Sequence, residues 1–204
     1  MREVQQPAIG EEGPLVQALT LDGPALREAI GELAGILVRT VEAGASVSFL
    51  LPFTQAEGER FFESVAQSAE RGERIVIAAR VGERLVGTVQ VLLAMPPNQP
   101  HRAEIAKLLV DPASRKRGIG RLLMERAERE ALARSRNLLV FDTVRGEAGE
   151  RLYRRMGYVA AGVIPKYALY PDGRLCDTVV FYKQLSASGQ GPGTCGSAPE
   201  LRLS

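Results

Sequence analysis

The stretch LLVDPASRKRGIGRLLMERAEREA, from Leu108 to Ala131, joins an apolar strand-like run to an amphipathic helix-like run through a turn rich in glycine and positive charge. Asp111 and Pro112 end the strand, because a proline cannot donate a hydrogen bond to a sheet. A helix that begins at Gly118 leaves its first backbone N–H groups without intrahelical acceptors, and the helix dipole adds positive charge there. The turn is therefore a candidate anion site that fits a phosphate or pyrophosphate.

The spacing within this turn is R-x-x-G-x-G, from Arg115 to Gly120. It is neither the G-x-G-x-x-G of a dinucleotide fold nor a Walker loop, which argues against nicotinamide dinucleotides and against ATP hydrolysis. Glycines let a phosphate approach the backbone, and cationic side chains add charge-assisted hydrogen bonds. A solvated basic loop is the alternative, but the strand before the turn and the amphipathic helix after it favour an anion site.

Composition limits the other functions of the chain. The net charge is only +2, from 26 Lys and Arg against 24 Asp and Glu, so a general nucleic-acid-binding protein is not indicated. One histidine and two distant cysteines, Cys176 and Cys195, give no zinc-ligand spacing, and we expect no metal and a reducing environment. Without an apolar signal-peptide core or a membrane-length apolar run, we expect a cytoplasmic protein with no membrane or nucleic-acid partner.

Hydrophobic periodicity predicts a mixed α+β domain around a central sheet, without the alternating βαβ order of a Rossmann fold. We expect a flexible segment over 1–14, one domain over 15–185 and a disordered, glycine-rich tail over 186–204. The predicted elements are a strand over 15–19, helices over 23–43 and 54–71, a hairpin over 74–94 that turns at Gly82, a strand over 103–110, a helix over 118–135, a strand over 137–141, a short helix over 147–156, and strands over 158–165 and 176–185.

The helix over 118–135 has one apolar and one charged face. On its charged face we expect Glu125 and Arg129 to form an i,i+4 ion pair. The residues that we expect to face the core are Ile119, Leu122, Leu123, Ala127 and Ala131.

The strand, the V-x-P step, R-x-x-G-x-G-x-x-L-L and the long helix together resemble the acetyl-CoA motif of the GNAT N-acetyltransferase superfamily. Leu152-Tyr153 and the Met156-Gly157-Tyr158 turn are similar to the family's L-Y-x-x-x-G-F/Y. The resemblance covers roughly residues 15–185. It implies a GNAT-like α+β fold, with a mixed, mostly antiparallel, splayed sheet of about seven strands and helices on both faces, and acetyl-CoA as co-substrate.

The resemblance also implies how the cofactor binds. Backbone groups of Leu108 and Val110 would pair with the pantetheine arm like an added strand, and the turn would hold the pyrophosphate. Many GNAT proteins have an Asn seven residues before the tyrosine that helps to bind the arm; here that position is Gly146, so the contact is missing or supplied otherwise. The predicted cofactor-binding residues are Leu108, Leu109, Val110, Arg115, Lys116, Arg117, Gly118, Ile119, Gly120 and Arg121.

Acetyl transfer to an amine needs a base, because a free alkylamine is mostly protonated near neutral pH, and the departing thiolate needs an acid. Tyr153 matches the family position whose phenol approaches the sulfur, although a packing tyrosine is the alternative. Glu104 and Asp142, at the ends of two strands, match carboxylates that bind or deprotonate the amine. Their alternatives are a salt bridge between Glu104 and Arg102, and a strand-end cap at Asp142.

Several stretches narrow the resemblance: GASVSFL, NQPHRAEIAKLLVDPASRKRGIGRLLM, FDT and PDGRL are similar to family members that acetylate a β-lactam amino acid toxin. We therefore expect transfer to the primary amine of a small amino-acid-like substrate, by direct attack in a ternary complex. A protein N-terminal or lysine acetyltransferase and a non-catalytic acyl-CoA sensor remain as alternatives. The resemblance allows a homodimer. Tyr167 and Tyr170 are candidates for the acceptor site, and Arg145 and Lys166 for a substrate carboxylate.

Overall fold

A computed structural model describes residues 15–186, so the predicted segment over 1–14 and nearly all of the predicted tail lie outside the described residues. The strands are β1 (Val16–Leu21), β2 (Arg74–Val81), β3 (Arg84–Leu92), β4 (Arg102–Val110), β5 (Leu138–Val144), β6 (Val159–Leu169) and β7 (Leu175–Gln184). The helices are α1 (Gly23–Glu28), α2 (Ile30–Glu42), α3 (Gln55–Glu70), α4 (Ile119–Leu132) and α5 (Ala148–Arg155), with one 3₁₀ turn at Pro112–Ser114.

All seven strands form one sheet in the order β1-β2-β3-β4-β5-β7-β6. The β4–β5 pair is parallel and every other neighbouring pair is antiparallel. The predicted mixed, mostly antiparallel α+β sheet of about seven strands is thereby confirmed.

Helices cover both faces of the sheet, and β2 shows how the sequence produces this. Ile75 and Ile77 enter the core beneath α4 and α5, while Val76 and Ala78 enter the core beneath α1, α2 and α3. Successive side chains of a strand point to opposite faces, so a continuous apolar run places apolar groups in both cores.

Three predictions about the helices are wrong. The helix expected over 23–43 is broken at Ala29 into α1 and α2. On α4, Leu122 is half-buried and Met124 is fully buried instead, because the core-facing stripe passes through Leu123 and Met124. The predicted partner of Glu125 is also wrong, since Glu125 accepts a hydrogen bond from Arg121 Nε at 2.7 Å rather than pairing with Arg129.

A β-bulge interrupts β4 at Lys107, whose φ is +51°. On β3, Thr88 faces Leu109 while Gln90 faces Ala106, so β4 contains one extra residue between these two pairs. A one-residue shift reverses which side chains face each side of a sheet. Accordingly, Ile105 lies in the core beneath α4, whereas Leu109 lies in the opposite core.

Gly87 lies where β3 passes beside β4 and beneath α4. A Cβ at this position would lie 2.8 Å from the carbonyl oxygen of Leu109 and 3.1 Å from Leu123 Cδ1. Because the Leu109 oxygen belongs to the backbone of a central strand, we expect Gly87→Ala to lower the free energy of unfolding by about 2 kcal/mol. Urea unfolding would measure the change.

The matched control for this substitution is Gly162→Ala on β6, where an added Cβ meets nothing within 4 Å. We expect the control to change stability by less than about 0.5 kcal/mol. Equal stability of the Gly87→Ala and Gly162→Ala proteins would contradict the close packing of β3 against β4.

Within residues 15–186, no helix is both long enough and apolar enough to cross a bilayer. The same part of the chain contains no group of three or more His, Cys, Asp or Glu side chains that could hold a metal ion.

Candidate active site

The sheet opens between β4 and β5. These parallel strands pair only at three positions, from Arg102 opposite Leu138 to Glu104 opposite Val140. Beyond Glu104, β4 continues along β3 as far as Val110, while β5 continues along β7 as far as Val144. Among residues 15–186, the backbone edge of β4 that faces β5 therefore has no strand partner beyond Glu104.

A cleft of about 530 Å³ occupies this opening. Its walls come from the loop after α2, from β4 and β5, from α5 and from the β6–β7 hairpin. Of the described residues that line it, three are charged: Glu104, Lys107 and Asp142. The lining includes Ser46, Ser48, Phe49, Leu108, Phe141, Tyr153, Tyr167, Cys176 and Thr178.

The turn between β4 and α4 presents a row of free backbone donors. Gly118 caps α4 in the left-handed conformation, with φ +78° and no side-chain cap, and the first helical hydrogen bond runs from Leu122 N to Gly118 O at 3.1 Å. Within the part of the chain that the structure describes, the backbone N–H groups from Arg115 to Arg121 have no hydrogen-bond acceptor. Residues 115–118 are exposed, so these donors are open to an anion.

A buried carboxylate fixes the start of this turn. Asp111 is 2% exposed, and its side chain accepts hydrogen bonds from Ala113 N at 3.1 Å and from Arg39 Nη2 at 2.7 Å. Burial would raise the pKa of Asp111, but the hydrogen bonds from Arg39 and Ala113 outweigh it and lower that pKa. The ionised Asp111 thereby joins the turn to α2.

Gly120 serves the packing of α4 against α5. A Cβ on Gly120 would lie 3.2 Å from Leu152 Cδ2 and 3.9 Å from Val110 Cγ2. The two glycines of the R-x-x-G-x-G stretch thus have different roles, since Gly118 supplies a left-handed backbone and Gly120 a close approach between elements.

Both predicted carboxylates line the cleft. Glu104 accepts a hydrogen bond from Arg102 Nη1 at 2.8 Å, so the alternative expected for it is present, yet the side chain remains 41% exposed. Asp142 accepts a hydrogen bond from Thr178 Oγ1 at 2.8 Å. The prediction that Asp142 ends its strand is wrong, because β5 continues to Val144 by pairing with β7.

Tyr153 of α5 lines the same cleft and is 6% exposed. Its ring packs edge-on against Phe141, with ring centroids 4.5 Å apart. Burial, together with the negative charge of Asp142, raises the pKa of the Tyr153 phenol. The phenol therefore keeps its proton throughout the neutral pH range and can act as a proton donor.

The structure separates the remaining polar candidates. Tyr167 lines the cleft, whereas the hydroxyl of Tyr170 lies 3.3 Å from Glu147 Oε1, outside the cleft lining. Arg145 pairs with Asp177 at 3.8 Å, and neither Arg145 nor Lys166 lines the cleft.

A family comparison decides what kind of protein carries this site. The sequence model of the Acetyltransferase (GNAT) family matches residues 42–158, which is more than half of the chain. The chain belongs to the GNAT acetyltransferase family. It is therefore an acetyl-CoA-dependent N-acetyltransferase.

Solved structures described as acetyltransferases share the fold. The yncA protein of Salmonella typhimurium, solved with its cofactor acetyl-CoA, has a TM-score of 0.68 and 18% identity, over 88% of this chain and 99% of that chain. A ribosomal-protein-alanine N-acetyltransferase of Brucella melitensis has a TM-score of 0.67 and 22% identity, over 84% and 99%. A phosphinothricin N-acetyltransferase has a TM-score of 0.67 and 17% identity, over 85% and 100%.

The residues of this GNAT acetyltransferase fit acetyl-CoA. The free N–H groups from Arg115 to Arg121 suit a diphosphate, and the unpaired edge of β4 suits the amides of a pantetheine arm. At Gly146, the position that the family resemblance associates with Asn, the backbone has φ +83° and its N–H donates to Glu150 Oε2 at 2.6 Å. That position thus contributes no side-chain amide to the cofactor arm.

Two parts of the cleft lining were not predicted from the sequence: Lys107 and the loop over 46–50. In the alternation of AEIAKLLV, Lys107 follows Ala103 and Ile105 on an otherwise apolar face, which is a signal that was available. The loop lies within GASVSFL, one of the stretches that carried the resemblance, but its contact with β4 is made across the fold and could not be read from that stretch.

Proposed function

We propose that this GNAT acetyltransferase transfers the acetyl group of acetyl-CoA to the primary amine of a small amino-acid-like substrate. The observation that carries the proposal is the meeting of Glu104, Asp142 and Tyr153 in one cleft, at the point where β4 leaves β5. Two carboxylates can attract and deprotonate an amine, and a protonated phenol can donate its proton to the leaving thiolate.

In this proposal, β4 and the turn after it hold the cofactor. Backbone groups of Leu108 and Val110 bind the pantetheine arm, and backbone N–H groups from Arg115 to Arg121 bind the diphosphate. Leu109 and Ile119 are 1% and 2% exposed, so these two residues contribute only their backbone. Acetyl-CoA supplies an activated thioester.

The two carboxylates have different surroundings, which suggests different roles. Arg102 already neutralises Glu104, whereas among residues 15–186 the only donor to the Asp142 side chain is the uncharged hydroxyl of Thr178, which also lies 2.9 Å from the carbonyl oxygen of Thr143. We therefore assign Asp142 as the base, acting directly or through a water molecule, and Glu104 as a residue that orients the amine. Asp142 takes one proton from the acceptor's ammonium, and the neutral amine nitrogen then bonds to the acetyl carbon. The carbon–sulfur bond breaks, the second amine proton passes to solvent, and Tyr153 supplies a proton to the sulfur and is reprotonated from solvent.

This assignment predicts unequal effects of two isosteric substitutions. We expect Asp142→Asn to lower kcat by about 10- to 100-fold, because the amine loses its proton acceptor. We expect Glu104→Gln to raise KM for the amine and to lower kcat by less than about 5-fold, since orientation is affected more than proton transfer. Steady-state kinetics at saturating acetyl-CoA would check both; a larger kcat loss in Glu104→Gln would reverse the assignment.

The proposed substrate class is supported by the sequence resemblance and by the size of the cleft. The stretches GASVSFL, FDT and PDGRL resemble the tabtoxin-resistance acetyltransferase, which acetylates an amino-acid-like toxin. A cleft of about 530 Å³ lies in the size range of small-molecule sites. Tyr153 and the two carboxylates favour an enzyme over a sensor, which would not require them. We expect the protein to act in the cytoplasm, as a monomer or homodimer, without membrane or nucleic-acid partners.

The main alternative, acetylation of protein N-termini or lysines, is tested with an acceptor panel. Tabtoxinine-β-lactam, free amino acids, polyamines and short peptides would be supplied with acetyl-CoA, and acetylated products identified by mass spectrometry. We expect the highest kcat/KM with an amino-acid-like acceptor. A peptide that outperforms every small amine would overturn the proposed substrate class while leaving the acetyl transfer intact.

A further inference from the structure

Lys107 places a cation inside the cleft. Its side chain is half-buried, and its Nζ donates a hydrogen bond to Ser48 Oγ at 2.8 Å. The same nitrogen lies 5.5 Å from the ring centroid of Phe49 and 5.8 Å from that of Phe61. The ammonium group is thus held against the loop over 46–50, on the wall of the cleft that this loop forms.

The bulge in β4 is what directs Lys107 to this place. At φ +51° the residue adopts a left-handed backbone, which costs a non-glycine residue about 1 kcal/mol or more. Such conformations and bulges are concentrated near active sites, where they redirect side chains. Without the bulge, the alternation of Ala103 and Ile105 would direct Lys107 into the apolar core beneath α4.

The charges of the cleft are unequally satisfied. Glu104 is neutralised by Arg102. Over residues 15–186, by contrast, Lys107 Nζ has no carboxylate within ion-pair distance. Burial lowers the pKa of Lys107, and the negative charge of Asp142 partly opposes that effect. A half-buried ammonium with only a hydroxyl and two aromatic faces as partners retains unused donors for an anion.

We propose that Lys107 binds the carboxylate of the acceptor and thereby selects zwitterionic amino acids over simple amines. This inference rests on the proposed function, because it assigns the acceptor's amine to Asp142 and Glu104. One cation and two carboxylates in one cleft are complementary to a ligand that carries an ammonium and a carboxylate. Ser48 and the rings of Phe49 and Phe61 hold Lys107 in position for this contact.

The competing explanation for the position of Lys107 is a purely structural role. The hydrogen bond to Ser48 connects β4 to the loop over 46–50, and Ser48 itself has a positive φ of 79°. If Lys107 only positioned this loop, its replacement would weaken every acceptor equally. The experiment must therefore compare acceptors that differ only in the carboxylate.

The probes are alanine, methionine and lysine, each paired with its own carboxamide, which retains the amine and loses the negative charge. For Lys107→Met, we expect kcat/KM to fall by about 10- to 30-fold for the amino acids, mainly through KM, because a charged hydrogen bond is lost. We expect a change of less than about 3-fold for the carboxamides, which never form that bond. Lys107→Arg should restore part of the preference, since it keeps the charge.

Ser48→Ala is the comparison variant, because it removes the hydrogen bond to Lys107 and keeps the ammonium. We expect Ser48→Ala to reduce the preference for the amino acid over its carboxamide by less than Lys107→Met does, since one positioning group is lost while the charge remains. An equal fall for both acceptors in Lys107→Met, or a wild-type protein that prefers the carboxamides, would overturn the inference.

A binding measurement tests the role of Lys107 separately from the proposed acetyl transfer. Calorimetric titration of the protein with CoA and N-acetyl amino acids, against their N-acetyl carboxamides, requires no turnover. We expect the acids to bind about 10-fold more tightly to wild-type protein and equally to Lys107→Met. Tighter binding of the acids without any acetyl transfer would reject the proposed function alone, and equal binding by the wild-type protein would reject the role of Lys107.

Discussion

A Tyr153→Phe protein is expected to bind acetyl-CoA with unchanged affinity and to turn over about 100- to 1,000-fold more slowly, because the thiolate loses its proton donor. The substitution removes one hydroxyl and keeps the ring that packs 4.5 Å from Phe141, so the fold should be preserved. Calorimetric titration with acetyl-CoA and steady-state release of CoA thiol would measure the two quantities separately.

The matched control is Tyr158→Phe. Tyr158 is 4% exposed and packs against Phe141 with ring centroids 5.0 Å apart, but it does not line the cleft. We expect less than about a 3-fold change in kcat, since no proton in the reaction passes through its hydroxyl. Unchanged turnover in Tyr153→Phe would remove Tyr153 as the acid, and similar losses in both variants would indicate a packing effect.

Replacing Arg115 and Arg117 together by alanine is expected to raise Kd for acetyl-CoA by about 100-fold, because two charge-assisted contacts to the diphosphate are lost. Both side chains are exposed, so the midpoint of thermal unfolding should not change. The kcat at saturating acetyl-CoA should be preserved, since these side chains lie outside the cleft lining. Calorimetry at two salt concentrations would also show a weaker salt dependence in the variant than in wild type.

An Arg60→Ala, Arg129→Ala protein is the charge-matched control, because it loses the same two charges at exposed positions on α3 and α4. We expect its Kd for acetyl-CoA to change by less than about 3-fold, since these charges act only through screened, long-range fields. Equal weakening in both double variants would mean that net charge, and not the turn after β4, determines the affinity.

The geometry of the turn after β4 was predictable from the sequence because its determinants are local. The Pro112 stop, the left-handed Gly118 and the apolar stripe of α4 all lie within one short stretch. Tyr153 was also predictable, but only through its similarity to a family motif, since a short amphipathic helix contains such a residue for packing alone.

The rest of the site depends on contacts between distant segments. The approach of Glu104 to Asp142 requires that β4 and β5 pair in parallel and then separate, and no periodicity in either strand specifies that neighbour. Lys107 depends on a bulge, which is set by the register of β4 against β3. The extension of β5 past Asp142 likewise depends on its pairing with β7. Propensity and alternation describe one strand at a time and cannot supply these registers.

The most direct test of the account is the release of CoA thiol from acetyl-CoA by purified wild-type protein, with and without the amine panel and with Tyr153→Phe in parallel. We predict release that requires an amine, matches the acetylated product in amount and is lost in Tyr153→Phe. Saturable acetyl-CoA binding without release for any amine, or release that proceeds equally without an amine, would contradict acetyl transfer in this cleft.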